Sequence, residues 1–335
     1  MAADRIAALC NAALRRRGLE IARSSALYPF QRREYLTAPT LPASLTAEQR
    51  AWLVPDNPRL TELRSAYAAM DPAVTTPLIW FDDFVSAEDL ANFRGDNAYV
   101  HQLHGLQYNP MAFALTAYYT LASAAAPLLD RMVEDGAYGA RCFEVAGRKV
   151  SRDLLDSVQE IDFLQRHLGA GTRPLKLLDI GAGYGRLAHR LTEVLGDAIE
   201  VCATDGFATS SFLAEFYLRH RGSFARMVPL HQIEAELAAT RFDVASNIHS
   251  FSECTTAAID WWVSRLAKAG VAHLMVVPNG WNEQLGLCLT NDGRDMEAIF
   301  AAHGYLPVAR EFRYTDPLLR QYGVDPAQLC LFTLG

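Results

Sequence analysis

One stretch of this sequence limits the possible folds more than any other. Residues 175–187 read Leu-Lys-Leu-Leu-Asp-Ile-Gly-Ala-Gly-Tyr-Gly-Arg-Leu, an apolar strand that runs through an acidic residue into a glycine-rich turn. A helical pattern follows from about Tyr184 to Leu195. Because Gly181 and Gly183 have no side chain, the main chain there can take unusual angles and approach a ligand closely. The stretch predicts the first turn of a Rossmann-like sheet, with the helix N-terminus facing a nucleotide.

The segments after this turn have the order of strands in such a sheet. Residues 200–205 end in Asp205, about 20 residues beyond the glycines, where this architecture binds the two ribose hydroxyls. Further strand-like segments follow, and the last two of them predict an antiparallel pair at the sheet edge. These segments are 226–230, 242–247, 271–277, 304–312 and 328–334.

The glycine turn and Asp205 together resemble the cofactor site of the class I methyltransferases that use S-adenosylmethionine (SAM). Asp179-Ile-Gly-Ala-Gly-Tyr-Gly185 stands in the place of their first motif, and Asp205 in the place of their ribose-binding acid. The resemblance covers about residues 155–335 and implies a seven-stranded α/β sheet with SAM as cofactor. The cofactor residues that it implies are Asp179, Gly181, Ala182, Gly183, Asp205, Gly206, Asn247, Ile248 and His231.

Two of these residues have more specific predicted roles. Asp179 either fixes the glycine loop or reaches the donor's amino group through water, and His231 flanks the adenine. A dinucleotide dehydrogenase is the main alternative to a methyltransferase. Its glycines usually follow the spacing G-x-G-x-x-G at the first strand of the chain, whereas here the spacing is G-x-G-x-G and begins mid-chain.

Composition excludes several other classes. The chain has 335 residues, a formal net charge of −7 and an isoelectric point near 5.7, which argues against DNA or ribosomal RNA as a partner. No apolar run has the length of a membrane span, and the amino terminus lacks a secretory pattern. Six cysteines are scattered without C-x-x-C spacing and read as buried apolar residues of a reduced, cytoplasmic protein.

The first half of the chain predicts a mainly helical lid domain. Residues 1–26 look helical, and 27–60 carry five prolines, so we expect an irregular arm there that wraps a neighbour and permits a homo-oligomer. Ser151 is a good N-cap for a helix that extends to about His167. We therefore predict a lid and substrate domain over 1–150 and a SAM-binding domain over 151–335.

The segment Asn247-Ile-His-Ser-Phe-Ser-Glu253 predicts the chemistry. Methyltransferases of planar amines carry a (D/N/S)-P-P-(Y/F/W) loop at this point, which is absent here. Oxygen methylation needs a base for the acceptor hydroxyl, and His249 suits that role. Glu253 either orients His249, holds a substrate hydroxyl or interacts with a helix dipole, while the alternative for His249 is a cap or a packing contact with Phe251. Asn247 is a poor substitute for the metal-binding acids of catechol-type enzymes, so we expect no obligatory catalytic metal.

Three longer segments resemble the family known as sugar O-methyltransferases. They are 93–100, 151–157 and 247–253, within a resemblance that covers about residues 90–335. The family resemblance implies a small-molecule acceptor, most simply a sugar or a glycosylated natural product.

A basic cluster allows a second class of acceptor. Arg148, Lys149 and Arg152 surround the N-cap of the helix that starts after Ser151, where cationic side chains and backbone N–H groups bind phosphate. Either a nucleotide-sugar or a prenyl diphosphate would satisfy such a site. The alternative is a solvated hairpin tip.

A prenyl diphosphate would imply methylation of an alkene carbon, with a carboxylate base and aromatic side chains around a cation. Glu160, on the polar helix face that also carries Asp153 and Asp156, is the candidate base. Aromatic candidates for the cavity wall are Tyr99, Tyr108, Phe113, Tyr118 and Tyr119. For these carboxylates and rings, helix solvation and core packing are the alternatives.

His101-Gln-Leu-His104 has a spacing that could place two imidazoles on one helical face. Because no acid or cysteine pattern accompanies them, we expect substrate contact or simple burial and not a zinc site. Tyr99 and His104 are the predicted substrate contacts.

A scaffold that binds SAM without catalysis, or has lost SAM, is the non-enzymatic alternative.

Overall fold

In a computed structural model of the chain, the described residues are 45–76, 87–95, 110–282, 287–323 and 327–335, with the single positions 14 and 78. The helices within these ranges are α1 (Ala47–Trp52), α2 (Pro58–Ala68), α3 (Pro72–Thr75), α4 (Ala87–Ala91), α5 (Pro110–Ala122), α6 (Ala126–Asp130), α7 (Arg152–Leu168), α8 (Arg186–Leu195), α9 (Ala208–His220), α10 (Ile233–Ala239), α11 (Thr256–Lys268), α12 (Glu297–Ala302) and α13 (Pro317–Tyr322). The strands are β1 (Phe143–Val145), β2 (Arg148–Val150), β3 (Leu175–Ile180), β4 (Ile199–Thr204), β5 (Arg226–Met227), β6 (Val244–Ile248), β7 (His273–Val277), β8 (Gly280–Asn282), β9 (Leu287–Leu289), β10 (Tyr305–Phe312) and β11 (Gln328–Leu334).

Seven of the strands form one sheet in the order β10-β11-β7-β6-β3-β4-β5. The pairs among β3, β4, β5, β6 and β7 are parallel, whereas β11 is antiparallel to both β7 and β10. This confirms the predicted seven-stranded Rossmann-like sheet with an antiparallel edge pair. The chain leaves β3 toward β4 on one side and later returns to β6 on the other, so a topological switch point lies at the carboxyl end of β3.

Strand β5 is shorter than the predicted segment 226–230. It ends at Met227, and the amide of Val228 still donates to the carbonyl of Ala203 at 2.8 Å. Pro229 follows, which has no N–H to continue the ladder, and the chain turns into a short 3₁₀ segment, Leu230–Gln232.

The prediction of an irregular arm over 27–60 is wrong for its described part. Thr46 and Gln49 form a capping box that starts α1. Pro58 occupies the first turn of α2, where its missing N–H costs nothing, and Asn57 caps that helix. The prolines in this region therefore begin helices as well as interrupt them. The wrapping arm and the amino-terminal helix otherwise fall outside the described residues.

The described N-terminal helices belong to the same hydrophobic cores as the sheet. Leu60, Leu63 and Tyr67 of α2 belong to the same hydrophobic core as Phe212 and Phe216 of α9. Helices α5 to α8 join the core on the other face of the sheet. The part of the predicted lid that the structure describes thus shares both cores with the sheet, and the boundary near residue 150 stays a prediction. None of the described helices is both long and apolar enough to cross a membrane.

Candidate functional site

A cavity of about 210 Å³ lies at the carboxyl ends of β3, β4 and β6, beside the switch point. Open α/β sheets bind their ligands at this position. Helix α3 and the N-termini of α7 and α8 complete the walls. The lining residues are Val74, Thr75, Thr76, Arg152, Asp153, Asp156, Asp179, Gly181, Ala182, Gly183, Tyr184, Arg186, Leu187, Asp205, Gly206, Phe207, Ser210, Ile248, His249, Ser250, Glu253 and Cys254.

The glycine turn forms the wall next to β3. Gly181, Gly183 and Gly185 have φ of 69°, 58° and 84°, a region that favours glycine. The amides of Gly181 and Ala182 donate to the carbonyl of Thr204 at 2.9 and 3.1 Å. These bonds fix the turn against the end of β4, as the sequence motif predicts.

Asp205 lies where β4 ends, in the cavity wall. Its two carboxylate oxygens accept the amides of Gly183 and Phe207, each at 2.8 Å. Burial raises the pKa of Asp205 to about 7, and the nearby carboxylates of Glu253 and Asp179 act in the same direction. The glycine turn and the predicted ribose acid therefore form one hydrogen-bonded unit, and the buried carboxylate is more stable ionised once a cationic or hydroxyl-rich ligand covers it.

Asp179 is the second carboxylate in this wall. It is buried at the end of β3, accepts a hydrogen bond from Ser246 Oγ at 2.8 Å, and has a pKa raised to about 7 by burial. The positive charge of Arg186 opposes this rise in the pKa of Asp179 without cancelling it. Both pKa values are raised because burial disfavours the charged carboxylate, and two such groups in one cavity make it a candidate functional site.

Asn247, a predicted cofactor residue, lies behind the wall and not among the lining residues. Its side chain is fully buried, donates from Nδ2 to the carbonyl of Ile180 at 3.0 Å and accepts the amide of Phe251 at 2.7 Å. The amide group thus ties the end of β3 to the turn after β6. Its neighbour Ile248 does line the cavity.

His249 follows β6 and lines the cavity with its backbone in an unusual conformation. Its φ is 66° and ψ is −34°, a region that a residue with a side chain seldom adopts. Its amide donates to the carbonyl of Val277 at 2.7 Å, which anchors the strained residue. Such strain is often found at functional sites.

Glu253 closes the same turn and also lines the cavity. Its Oε1 accepts Asn279 Nδ2 at 2.9 Å, and its carbonyl accepts the amide of Leu78 at 3.1 Å. The predicted pair of His249 and Glu253 therefore lies in one cavity with Asp205.

Glu160, the candidate base for carbon methylation, is not a lining residue. It is fully buried and accepts hydrogen bonds from Arg186 Nη1 at 2.6 Å and Nη2 at 3.1 Å, and from Arg313 Nη2 at 3.1 Å. Although burial would raise the pKa of Glu160, these two guanidinium groups lower it overall. A carboxylate so strongly paired is a weak base.

The polar face of α7 is buried and not solvated, contrary to the alternative that its acids merely solvate the helix. Asp153 pairs with Arg94 at 2.8 Å and also accepts the hydroxyl of Tyr184. Asp156 pairs with Arg152 at 3.2 Å and with Arg313 at 3.0 Å. Hydrophobic periodicity could not predict this, because two of the partners, Arg94 and Arg313, come from distant parts of the chain.

The basic cluster does not assemble as predicted. Arg148 binds the carbonyl of Leu129 at 2.9 Å and the carboxylate of Asp130, and Lys149 binds the carbonyl of Asp135 at 3.2 Å. Both belong to the β1–β2 hairpin and neither lines the cavity. Arg152 does line it, from the first position of α7.

Other predicted residues lie away from the cavity. His231 is exposed in the turn after β5, and its ring meets the edge of Tyr67 with centroids 6.0 Å apart. None of the described candidate aromatic residues, Phe113, Tyr118 and Tyr119, lines the cavity. Phe113 packs on Phe143, and Tyr119 packs on Tyr314. Tyr99, His104 and Tyr108 lie outside the described residues.

Several lining residues were not predicted. Arg186 is held by Glu160 and by Ser157 Oγ at 2.8 Å, and it immediately follows the glycine motif, a position that could have signalled it. Thr75 ends α3 and Thr76 directly follows it, about a hundred residues before that motif, and no local pattern marks them. In the described part of the chain, no three His, Cys, Asp or Glu side chains are grouped so as to hold a metal ion.

No protein-family model matches the sequence, and no curated protein does either. The resemblance to the sugar O-methyltransferases thus stays a prediction. Solved structures with a similar fold include magnesium protoporphyrin IX methyltransferase from Synechocystis PCC 6803 with bound SAM, which is 15% identical and has a TM-score of 0.39; the match covers 65% of this chain and 94% of that one.

Two further structures are similar to the same degree. A SAM-dependent methyltransferase from Aquifex aeolicus is 13% identical, with 53% of this chain and 89% of that chain covered and a TM-score of 0.39. Geranyl diphosphate C-methyltransferase from Streptomyces coelicolor A3(2), in complex with Mg²⁺, geranyl diphosphate and S-adenosyl-L-homocysteine, is 15% identical, with 52% and 80% covered and a TM-score of 0.37. At these identities and TM-scores the similarity concerns the fold alone.

Proposed function

We propose that this protein is a SAM-dependent methyltransferase that methylates a hydroxyl oxygen of a small polar acceptor, most simply a sugar. The observation that carries the proposal is the cavity at the switch point, whose lining combines the glycine turn, Asp179 and Asp205 with His249 and Glu253. The two buried carboxylates suit a ligand with an ammonium group and two ribose hydroxyls.

When bound, SAM would supply a methyl group carried on a positively charged sulfur. The acceptor oxygen would bond to the methyl carbon in line as the carbon–sulfur bond breaks, and the sulfur would leave as the neutral thioether of S-adenosylhomocysteine. In our proposal Asp205 accepts hydrogen bonds from the ribose hydroxyls of SAM. Asp179 and the glycine turn bind the amino acid part of SAM. His249 takes the proton from the acceptor hydroxyl as the oxygen–methyl bond forms, and Glu253 holds the acceptor. Thr75 and Thr76, at the end of α3, add hydroxyl groups to the cavity lining.

Carbon methylation of a prenyl diphosphate receives less support. Glu160 is paired with two arginines behind the cavity wall, and Phe113 and Tyr119 pack elsewhere. The described walls carry Tyr184 and Phe207 as aromatic residues, beside several charged and hydroxyl-bearing side chains. A carbocation needs a more apolar, aromatic enclosure than this.

The test is transfer of a labelled methyl group from SAM, followed by mass spectrometry, to one panel of nucleotide-sugars and glycosides and one of prenyl diphosphates. We expect a labelled sugar, and His249→Ala should lower kcat by about 10²–10⁴-fold with little change in SAM affinity. His303→Ala is the matched control, since His303 pairs with Asp260 on the surface and does not line the cavity. A labelled prenyl product that His249→Ala leaves unaffected would overturn the proposed acceptor and base.

A further inference from the structure

Tyr67 of α2 places its hydroxyl group in the core beneath the cavity. The side chain is almost fully buried, and its oxygen accepts the amide of Leu230 at 2.8 Å. The same oxygen lies 2.7 Å from Ser211 Oγ, another buried hydroxyl. Residues from three separate elements thus meet at one phenol group.

A further contact connects Ser211 to the end of β4. Ser211 Oγ lies 3.4 Å from the carbonyl oxygen of Asp205, the length of a long hydrogen bond, and in the pair of Tyr67 and Ser211 either hydroxyl can be the donor. A series of polar contacts therefore runs from the Leu230 amide through Tyr67 and Ser211 to the backbone of Asp205.

One end of this series belongs to the loop after β4, which begins at Asp205 and supplies the lining residues Gly206 and Phe207. The other end, Leu230, lies after β5, in the neighbouring connection behind the cavity lining. Parallel neighbouring strands bring these loops side by side, but the bond between them is made by a residue from outside the sheet.

Helix α2 is itself held firmly on α9, the helix that follows Asp205. Arg59 Nε donates to Glu215 Oε2 at 2.9 Å. Just before α2, the Trp52 ring stacks on Phe212 with centroids 5.8 Å apart. Tyr67 is thus presented from a fixed support, which is what a positioning role requires.

We propose that Tyr67 is a positioning residue of the donor site, which holds the loops after β4 and β5 so that the Asp205 carboxylate faces the ribose of SAM. The inference rests on the proposed function, because it assumes that SAM occupies the cavity. It assigns to the N-terminal segment a part in donor binding, whereas the sequence predicted only a lid and acceptor role for that segment.

The test is Tyr67→Phe, which removes one oxygen atom and leaves the ring in the core. Tyr305→Phe is the matched control, because Tyr305 is equally buried and its hydroxyl donates to the carbonyl of Val271 at 2.7 Å, far from the cavity on an edge strand. Tyr67→Phe loses two buried hydrogen bonds and Tyr305→Phe loses one, so both should lower the melting temperature, Tyr67→Phe by more.

Donor binding separates the two variants. By calorimetric titration we expect Tyr67→Phe to raise the Kd of SAM about tenfold and Tyr305→Phe to leave it unchanged. In steady-state assays the KM for SAM should rise with kcat nearly constant, since the loss concerns binding of the ground state and transition state alike. Amide hydrogen exchange at Gly183 and Phe207, the two donors to the Asp205 carboxylate, should accelerate in Tyr67→Phe alone.

Equal SAM affinity in Tyr67→Phe and the wild type would overturn the inference and leave Tyr67 a core residue. If Tyr67→Phe does not fold, Ser211→Ala breaks the same series of bonds at its middle and must weaken SAM binding in the same direction. Absence of SAM binding by the wild-type protein is a different result, which refutes the proposed function itself.

Discussion

Ser250 lies against Gly181 so closely that a Cβ atom on Gly181 would come within 2.0 Å of Ser250 Oγ. Gly181 belongs to the turn after β3, and Ser250 directly follows His249 after β6. The proposed donor-binding turn is therefore in direct contact with the turn that carries the proposed base, through the residue next to His249. This contact explains why a glycine is needed at position 181 for two reasons, its positive φ and the close approach.

The variant Gly181→Ala tests this contact. We expect it to lower the free energy of unfolding by about 2–4 kcal/mol and to abolish measurable SAM binding, because the added methyl group must displace the Ser250 turn. Gly270→Ala is the matched control: Gly270 has a similar φ of +68°, but open space around its Cβ position. It should cost only the strain, about 1 kcal/mol, and keep SAM affinity. Equal effects of the two substitutions in chemical denaturation would show that strain alone matters.

The elevated pKa values of Asp179 and Asp205, both about 7, predict a pH dependence. In the free protein these carboxyls hold protons that the unfolded chain has lost, so their contribution to stability is present at low pH and disappears as the pH rises toward 7. SAM affinity should change in the opposite direction, because the ligand favours ionised carboxylates. We expect SAM to bind about tenfold more weakly at pH 6 than at pH 8 by calorimetry, with release of ligand-linked protons.

Asp179→Asn provides the control for that measurement. It removes one of the two titrating groups, so SAM should bind more weakly at high pH and its affinity should vary less with pH. Wild-type affinity that stays constant from pH 6 to pH 8 would contradict the assignment of these carboxylates to the donor site.

Glu160→Gln separates a structural role from a catalytic one. Because Glu160 is fully buried between Arg186 and Arg313, loss of its charge leaves both guanidinium groups undercompensated, and we expect a loss of about 3 kcal/mol in the free energy of unfolding. Glu311→Gln is the control, since Glu311 pairs with Arg166 and His167 at a partly exposed position and should cost only about 0.5 kcal/mol. A Glu160→Gln protein with unchanged stability and no activity would restore Glu160 as a catalytic base.

The three residues of the predicted basic cluster should differ in kinetics. Arg152 lines the cavity, so Arg152→Gln should raise the KM of the acceptor that the label screen identifies. Arg148→Gln and Lys149→Gln should change this KM little, because the two side chains bind the carbonyls of Leu129 and Asp135 outside the cavity. Steady-state kinetics of the three variants checks this, and an equal rise of KM in all three would mean that the cluster acts as one phosphate site.

The sheet and the donor side of the site could be predicted because their signals are local. Residues adjacent in sequence determine the glycine turn, the position of Asp205 and most strand boundaries. The β1–β2 hairpin and the Ser151 cap are local features of the same kind. Each of these depends on backbone angles or on the period of a single element.

The contacts that could not be predicted join distant residues. Nothing near Glu160 indicates that Arg313, 153 positions away, occupies its carboxylate. Likewise Tyr67 looks like an ordinary core residue of α2 until Ser211 and Leu230 are brought to it. Asn247 was correctly placed at the end of a strand, but its amide is used by the backbone, which depends on the turn that follows.

The most direct test of the central claim is a calorimetric titration of SAM into the wild-type protein and into Asp205→Asn. We expect the wild type to bind one SAM per chain and Asp205→Asn to bind it at least about tenfold more weakly. The asparagine amide has one oxygen, so it cannot accept hydrogen bonds from the ribose hydroxyls and from both backbone amides as the carboxylate does. Wild-type protein that binds no SAM, or an Asp205→Asn variant that binds it as tightly as the wild type, would contradict the assignment of this cavity to a methyl donor.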